Sequence, residues 1–308
     1  MTQAAAQSSA STTADVIVVG AGPAGSSAAY HMATLGLDVI LLEKQELGRD
    51  KVCGDGLTPS AVRELVSMGV DTSGWQRNRG LRVIGGGHLL HFPWPEQASF
   101  PSYGMARPRA LLDRDLAEHA AAAGARLLTG VTVTGPVTSP AGRVTGVEAR
   151  PTNRVAYPGI EAPTTFTAPL VIDAGGVSAR LATAVGRTKN ERRPMGVAVR
   201  AYFRSPRAKD AWMESRLELW DGKPGKSDLL PGYGWIWSVG EGLVNVGLGS
   251  VSSRASATAI DYRAVFNRWM DNVPASWGFT KENQVGGLVS AALPMAFNRK
   301  PHYADGLM

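Results

Sequence analysis

Short apolar runs and a small-residue stretch alternate near the start of the chain. The run DVIVV at 15–19 leads into GAGPAG, then into a stretch that predicts a helix to about Leu35, and then into DVILL at 38–42. Apolar runs of this length beside turn residues are typical of buried strands. The pattern therefore predicts a β-α-β unit.

Three glycines and one acid follow the spacing of a dinucleotide-binding turn. Gly20, Gly22 and Gly25 form GxGxxG, and Glu43 closes the second strand. The first glycine makes the turn, the second admits a pyrophosphate, and the third lets the helix pack on the strand. The helix N-terminus offers N–H groups to phosphates, and Glu43 can accept hydrogen bonds from a ribose hydroxyl. A glycine-rich turn alone is a weak signal, but this order of elements predicts a bound dinucleotide.

Two later segments repeat the α/β pattern. Residues 107–133 predict an amphipathic helix that stops near Gly124 and a strand after it. Residues 168–186 predict a buried strand, a glycine turn and a helix capped by Ser178. These segments extend the predicted α/β domain.

The middle of the chain, from Met195 to Gly249, has strand-like alternation with Gly/Pro-rich turns, which predicts an antiparallel sheet. Within YGWIW, Tyr233, Trp235 and Trp237 occupy one face of a strand. One interpretation is that these rings pack the sheet against helices. The other is an apolar wall that suits a planar or polyprenyl ligand.

Composition limits the setting. A single cysteine excludes an intramolecular disulfide, and the absence of Cys/His clusters predicts no metal site, which favours a reducing cytoplasmic compartment. Residues 1–13 predict a disordered tail rather than a signal peptide, and no apolar run is long enough to predict a transmembrane helix. The net charge of +6 is compatible with a membrane surface, but no basic run with interleaved aromatics points to nucleic acid.

The single cysteine, Cys53, stands in DKVCGDGLTP at 50–59. Gly54, Asp55 and Gly56 argue against a helix or strand interior at this point, so an inert core role is disfavoured. A thiol in such a loop can donate a proton or shape a pocket.

Three motifs resemble the flavoprotein hydroxylase and reductase superfamily, whose cofactor is FAD: GAGPAG, RxxLDxxL from Arg109 to Leu116, and AGGVSxR from Ala174 to Arg180. The resemblance implies that Arg109 lies near the ribityl-phosphate arm of FAD and that Gly175 lies in a shared turn. NAD(P)H is a candidate reductant for the flavin. The predicted FAD-binding residues are Gly20, Gly22, Ala24, Gly25, Glu43, Lys44, Arg49, Arg109, Val131 and Gly175.

Five further segments resemble the geranylgeranyl reductase family, most closely its bacterial menaquinone reductase branch: RDKVCGDGLTP, FPSYG, LPGYGWIW, NVGLG and WGFT. Members of this family use reduced FAD to saturate an isoprenoid carbon–carbon double bond. The resemblance implies that Cys53 donates a proton or forms the pocket, and that Gly54, Tyr233, Trp235 and Trp237 bind substrate. Where the family continues with Phe-Pro, this chain has Trp237 and Ser238.

The predicted fold class is α/β, with a Rossmann-like FAD-binding domain of the flavoprotein hydroxylase type and an antiparallel-sheet substrate domain. In the family, the strand that begins in PHYADGLM continues into a further FAD-binding segment, so we expect either a fragment or a natively truncated protein. The predicted parts are the tail at 1–13, the FAD-binding domain at 14–80 and 105–190, the substrate domain at 81–104 and 191–300, and the start of that strand at 301–308.

The expected function is FAD-dependent reduction of an isoprenoid double bond, in the prenyl tail of menaquinone or in a geranylgeranyl lipid. Two alternatives stay open. One is a flavin-dependent hydroxylase or halogenase, since Trp235-Ile-Trp237 resembles the Trp-x-Trp strand of halogenases. The other is a non-catalytic, truncated flavin-binding remnant. The expected partner is an isoprenoid lipid or prenyl quinone. We expect the protein to be cytoplasmic, with peripheral contact on the inner face of the cytoplasmic membrane.

Overall fold

The chain forms two compact units in the structure, a computed structural model that describes residues 11–308 except 153–159, 161, 178, 189–194, 253–259, 295–301 and 304. The first unit comprises Met1–Arg49, Ala110–Asn190 and Phe297–Met308, and the second comprises Asp50–Arg109 and Glu191–Ala296. The sequence analysis assigned residues 50–80 to the FAD-binding domain, whereas their contacts group them with the second unit. Most of the predicted tail and the predicted cap Ser178 lie outside the described residues.

A four-stranded parallel sheet forms the centre of the first unit, in the order β12-β1-β2-β8. Its strands are β1 (Val16–Val19), β2 (Val39–Leu42), β8 (Arg126–Leu128) and β12 (Leu170–Asp173). All of β2 is buried, as a strand with both faces covered requires. Helix α1 (Pro23–Thr34) connects β1 to β2, so the predicted β-α-β unit is confirmed.

The first unit also contains a three-stranded antiparallel sheet, in the order β11-β10-β9. Its strands are β9 (Val131–Thr138), β10 (Val144–Pro151) and β11 (Thr164–Thr167).

The last residues of the chain pair with the edge strand β12 of the parallel sheet. The Val171 N–H donates to the Gly306 carbonyl oxygen at 2.9 Å, and the Met308 N–H donates to the Val171 carbonyl oxygen at 2.9 Å. The side chain of Leu307 is thereby buried in the core of this unit.

The second unit is organised by a seven-stranded sheet, in the order β19-β13-β18-β17-β14-β5-β6. Its neighbouring strands pair antiparallel, as predicted, except that β14 and β5 pair in parallel. The strands are β5 (Gly80–Gly85), β6 (His88–Pro93), β13 (Met195–Arg204), β14 (Trp212–Arg216), β17 (Gly232–Gly240), β18 (Leu243–Ser252) and β19 (Gln284–Pro294).

The two faces of this sheet have different side chains, because residues alternate along each strand. One face packs against α5 (Tyr262–Met270) and forms an apolar core that includes Val199, Ala201, Phe203, Ile236, Val244, Val246, Leu248 and Trp269. The opposite face carries polar and aromatic side chains in cross-strand rows. One row is Trp237–Asn245–Tyr202 and the next is Trp235–Gly247–Arg200.

Shorter elements complete the structure. The second unit has a small sheet of β3 (Gly56–Leu57), β7 (Gly104–Ala106) and β4 (Gln76–Asn78), and a two-stranded pair of β15 (Leu219–Trp220) and β16 (Leu229–Leu230). Further α-helices within the described ranges are α2 (Pro59–Ser67), α3 (Arg109–Ala122) and α4 (Arg180–Ala184). Among the described residues, no helix combines the length and apolar character needed to cross a bilayer.

Candidate functional site

Two glycines of the glycine turn in the first unit, Gly20 and Gly25, have no room for a side chain. Gly20 has a φ of +102°, and a Cβ there would lie 2.7 Å from the Ala174 carbonyl oxygen. A Cβ on Gly25 would overlap the Gly20 carbonyl oxygen. Gly22 occupies the N-cap of α1, where no side chain caps the first turn, and Pro23 follows it. The turn thus presents bare backbone and uncapped N–H groups, which fits a dinucleotide pyrophosphate.

Glu43 is buried beside this turn at the end of β2. One of its carboxylate oxygens accepts a hydrogen bond from the Ala21 N–H at 2.9 Å, and the other accepts one from the Gln45 N–H at 3.1 Å. Each oxygen keeps a second lone pair. The acid therefore fixes the glycine turn and retains acceptor capacity for a ribose hydroxyl.

The other predicted FAD-binding residues of the first unit differ in exposure. Ala24, Lys44 and Arg49 are exposed, whereas Val131 is buried in the core with its N–H donating to the Glu43 carbonyl oxygen at 3.0 Å. The Gly175 turn is organised by Asp173, whose carboxylate accepts from the N–H groups of Gly175 at 3.1 Å and Ala182 at 3.0 Å.

The Cys53 loop of the second unit lies on the polar and aromatic face of the seven-stranded sheet. Three neighbouring strands each supply a side chain that donates to a backbone carbonyl of this loop. Arg200 of β13 donates to Lys51 at 2.9 Å, Asn245 of β18 donates to Cys53 at 2.9 Å, and Trp237 of β17 donates to Gly54. The sheet thus holds the loop residue by residue.

Asp55 continues this loop in a left-handed conformation, with a φ of +64° and 1% exposure. Its carboxylate accepts three hydrogen bonds: from the Tyr202 hydroxyl at 2.6 Å, the Asn245 amide at 2.8 Å and the Arg109 backbone N–H at 3.1 Å. Burial raises the pKa of Asp55 from 3.8 to about 6, against the opposing effect of these hydrogen bonds and of Arg200. The carboxyl is therefore mostly ionised at neutral pH.

Tyr202 and Arg200 support this arrangement from β13. Burial, followed by the charge of Asp55, raises the pKa of Tyr202 well above its ordinary value, so its hydroxyl remains a donor. The Arg200 guanidinium is 1% exposed, lies 4.1 Å from the centre of the Tyr202 ring and pairs with Asp50. A buried cation requires such partners, because burying an unpaired charge is costly.

Tyr233, Trp235 and Trp237 share one face of β17, as the alternation predicts. The rings of Trp235 and Trp237 stack with centres 5.9 Å apart, and those of Tyr233 and Trp235 lie 6.0 Å apart. Trp235 is only 5% exposed, and its indole N–H donates to the Asn245 side-chain oxygen at 2.8 Å. Tyr233 is 43% exposed, so the accessible end of the wall is its ring.

The structure thus groups the predicted residues into two sets. The glycine turn, Glu43 and the Gly175 turn belong to the first unit, whereas Cys53, Gly54 and the three aromatic residues belong to the second, as does Arg109. Sequence reasoning missed Asp55, Arg200, Tyr202 and Asn245. The alternation of side chains along β13 and β18 could have indicated three of them, because it places Arg200, Tyr202 and Asn245 on the face of the sheet opposite the apolar core. In the part of the chain that is described, no group of His, Cys, Asp or Glu side chains forms a candidate metal site.

Comparisons with known proteins identify the family of this chain. Residues 13–258 match the FAD binding domain family. The menaquinone reductase of Mycolicibacterium smegmatis is 38% identical over 288 residues, which cover 92% of this chain and 66% of that protein. The predicted resemblance to that branch is therefore confirmed, although the chain spans only about two thirds of the relative's length.

Solved structures with similar folds include two flavoproteins of different chemistry. A geranylgeranyl bacteriochlorophyll reductase-like protein from Thermoplasma acidophilum superposes with a TM-score of 0.75 at 24% identity, covering 96% of this chain and 70% of the other. A flavin-dependent brominase superposes with a TM-score of 0.74 at 18% identity, covering 96% and 71%. At these identities the likeness confirms the fold alone.

Proposed function

Because the chain belongs to the FAD binding domain family and takes FAD as its cofactor, we propose that it reduces a carbon–carbon double bond of an isoprenoid. The proposed substrate is the prenyl tail of menaquinone or a geranylgeranyl lipid. The observation that carries the proposal is that the backbone of the Cys53 loop and the aromatic side chains of β17 meet on one face of a single sheet. The similarity to a protein named menaquinone reductase supports this substrate class.

Saturating an isolated alkene requires a hydride at one carbon and a proton at the other. The glycine turn and Glu43 would hold FAD, which in its reduced form would supply the hydride, and we propose NAD(P)H as the reductant. The Cys53 thiol gives its proton to the second carbon, which leaves a thiolate that recovers a proton from solvent. The product is the saturated prenyl unit, with two electrons taken from the cofactor.

The aromatic wall has the complementary task of holding the alkene in place. Flat apolar rings bind a prenyl chain by contact area without fixing one position along it. Reaction rate depends on the double bond reaching near-attack distance, so the depth to which the chain enters determines which bond is reduced. Tyr233 is the exposed member and therefore the proposed point of first contact.

Peripheral contact with a membrane forms part of the proposal, because substrates of this class reside in bilayers. The edge strand β6 exposes three large apolar side chains, Leu89, Leu90 and Phe92, and is the proposed contact. Co-sedimentation with anionic lipid vesicles tests this: Leu90→Glu should lower binding relative to the wild-type protein, whereas Leu35→Glu, at an exposed leucine of the first unit, should not.

The decisive test of the reaction is anaerobic turnover. The FAD-loaded protein is reduced and mixed with a prenyl quinone in detergent, and the product is analysed by mass spectrometry for the gain of two hydrogen atoms in the tail. A matched sample without reductant controls for spontaneous change. Unchanged mass for both menaquinone and geranylgeranyl lipids would refute the proposal.

The same preparation distinguishes the halogenase and hydroxylase alternative, whose support is the Trp-x-Trp pattern and the brominase fold. With oxygen and bromide or chloride present, that alternative predicts a halogenated or hydroxylated aromatic product. The proposed reductase gives neither product and transfers its electrons to the prenyl substrate. Bound reduced flavin that none of these substrates oxidises would indicate the non-catalytic alternative.

A further inference from the structure

A continuous chain of hydrogen bonds connects the aromatic wall to the Cys53 loop through one buried amide. The Trp235 indole N–H donates to the Asn245 Oδ1 at 2.8 Å. The Asn245 Nδ2 donates to the Cys53 carbonyl oxygen at 2.9 Å and to the Asp55 carboxylate at 2.8 Å. Asn245 has no solvent exposure, so these protein groups rather than water satisfy its amide.

The orientation of that amide follows from the chemistry of its neighbours. An indole N–H can only donate, so it requires the oxygen of Asn245. A carbonyl and a carboxylate can only accept, so they require the two N–H bonds of the amide nitrogen. Turning the amide by half a revolution would set its oxygen against two acceptors and its nitrogen against a donor. All three neighbours thus require the same orientation, and the Trp235 N–H is the group that holds the oxygen side of the amide.

We infer that Asn245 is a positioning residue for Cys53, and that the Trp235 indole N–H holds the Asn245 side chain in place. The inference deepens the proposed function and rests on it, since it assigns the reacting role to Cys53. It adds that one tryptophan of the proposed substrate wall also controls where the thiol stands.

The lone cysteine makes this inference measurable without flavin or substrate. Because Cys53 is the only cysteine of the chain, the rate of alkylation by iodoacetamide, followed by mass spectrometry, reports on this loop alone. Trp235→Phe keeps an aromatic ring but removes the N–H. Asn245→Asp keeps the shape and the acceptor for Trp235 but removes both donors to the loop.

The structure offers a matched control in the same unit. Trp94 donates its indole N–H to the Asn78 side-chain oxygen at 2.7 Å, a bond of the same kind at a different place. Trp94→Phe therefore loses an equivalent hydrogen bond, but it leaves intact the series of hydrogen bonds from Trp235 through Asn245 to the Cys53 loop. The unfolding free energy of every variant is measured in denaturant, so that local release of the loop is separated from global destabilisation.

We expect Trp235→Phe, which loses one hydrogen bond, to alkylate about five times faster than the wild-type protein, and Asn245→Asp, which loses two, to alkylate about thirty times faster. Trp94→Phe should alkylate at the wild-type rate. If Asn245→Asp does not fold, Trp235→Phe decides the question. A wild-type rate in Trp235→Phe, or equal acceleration in Trp94→Phe, would overturn the inference. Since no turnover is involved, failure of the reductase assay would count against the proposed function alone.

Discussion

The indole of Trp237 lies directly against Gly54, and its N–H donates to the Gly54 carbonyl oxygen. A Cβ at position 54 would overlap the ring at Cζ2. The residue next to the proposed proton donor must therefore be glycine as long as position 237 is tryptophan. The two positions form one packing unit, although 183 residues separate them in the sequence.

The first prediction concerns this pair. Gly54→Ala should destabilise the protein by about 1 to 3 kcal/mol, the usual cost of overpacking. Combining it with Trp237→Phe should cost less than the sum of the two single changes, because the smaller ring makes room. Denaturant unfolding of the four proteins measures the coupling. Gly287→Ala, where a Cβ meets no atom within 4 Å, serves as the control. Strict additivity would show that the contact carries no energy.

The second prediction addresses the cofactor turn. Gly25→Ala should abolish FAD binding, because the added Cβ overlaps the Gly20 carbonyl oxygen within the turn. Gly135→Ala in the same unit has open space around its Cβ and should bind FAD as the wild-type protein does. Flavin absorbance after reconstitution and desalting provides the measurement. Normal flavin content in Gly25→Ala would contradict the assignment of this turn.

The third prediction uses the pKa of Asp55, which is higher in the folded protein, at about 6, than its ordinary value of 3.8. Folding therefore favours the protonated carboxyl. The stability that Asp55 contributes is fully present below pH 3.8 and is lost as the pH rises through about 6. Relative to Asp55→Asn, the wild-type protein should lose about 3 kcal/mol of unfolding free energy across that interval, at 1.36 kcal/mol per pKa unit.

Asp71 provides a control of opposite sign for that titration. A hydrogen bond from the Ser73 side chain, followed by one from its backbone, lowers the pKa of Asp71. Its contribution is therefore present above the ordinary pKa and lost as the pH falls through the lowered one. Asp71→Asn should thus be less stable than the wild-type protein above the ordinary pKa of 3.8, and the difference should disappear at acidic pH. Parallel pH profiles for wild type and Asp55→Asn would show that Asp55 does not titrate as stated.

The fourth prediction separates the proposed chemistry of Cys53 from its volume. Cys53→Ala and Cys53→Ser should both keep FAD content and thermal stability near wild type, because the loop is held through backbone carbonyls. Serine retains the size but is a far weaker acid, so proton donation predicts a severe loss of prenyl reduction in both variants. Anaerobic oxidation of reduced flavin by a prenyl quinone measures it. Near-normal turnover in Cys53→Ser would leave only a steric role.

The fifth prediction distinguishes two members of the aromatic wall. Trp235→Ala should destabilise the second unit by about 3 to 5 kcal/mol, because a buried ring is removed. Tyr233→Ala should leave stability almost unchanged and raise KM for a long prenyl substrate more than for a short one. Unfolding curves and steady-state kinetics with substrates of two lengths provide the test. Equal effects on both substrates would remove Tyr233 from the proposed binding surface.

Local pattern was sufficient to predict two parts of the structure. The β-α-β unit follows from apolar runs separated by a glycine turn, since each element is determined by residues close together in sequence. The common face of Tyr233, Trp235 and Trp237 follows from the alternation of side chains along one strand. Neither inference requires knowledge of which strands are neighbours.

The network around Asp55 could not be predicted in this way. Its partners Tyr202 and Asn245 are 147 and 190 residues distant, on strands whose order in the sheet differs from their order in the chain. The parallel pairing of β14 with β5 could not be predicted for the same reason, because the order of the strands in the sheet differs from their order in the chain. Alternation indicates that Tyr202 and Asn245 point away from the apolar core, but only the sheet order places them beside one another.

Strand β18 carries two interleaved sets of residues with separate tasks. Val244, Val246 and Leu248 belong to the apolar core, whereas Asn245, Gly247 and Gly249 belong to the face that meets the aromatic rings and the Cys53 loop. A directed mutant library can therefore vary Asn245 with its counterparts on β13 and β17 while the first set keeps the domain foldable, but Gly247 must stay glycine, because a Cβ there would overlap the Trp235 ring and lie 2.7 Å from the Val199 carbonyl oxygen. Alternate positions of one strand thus carry foldability and site chemistry separately.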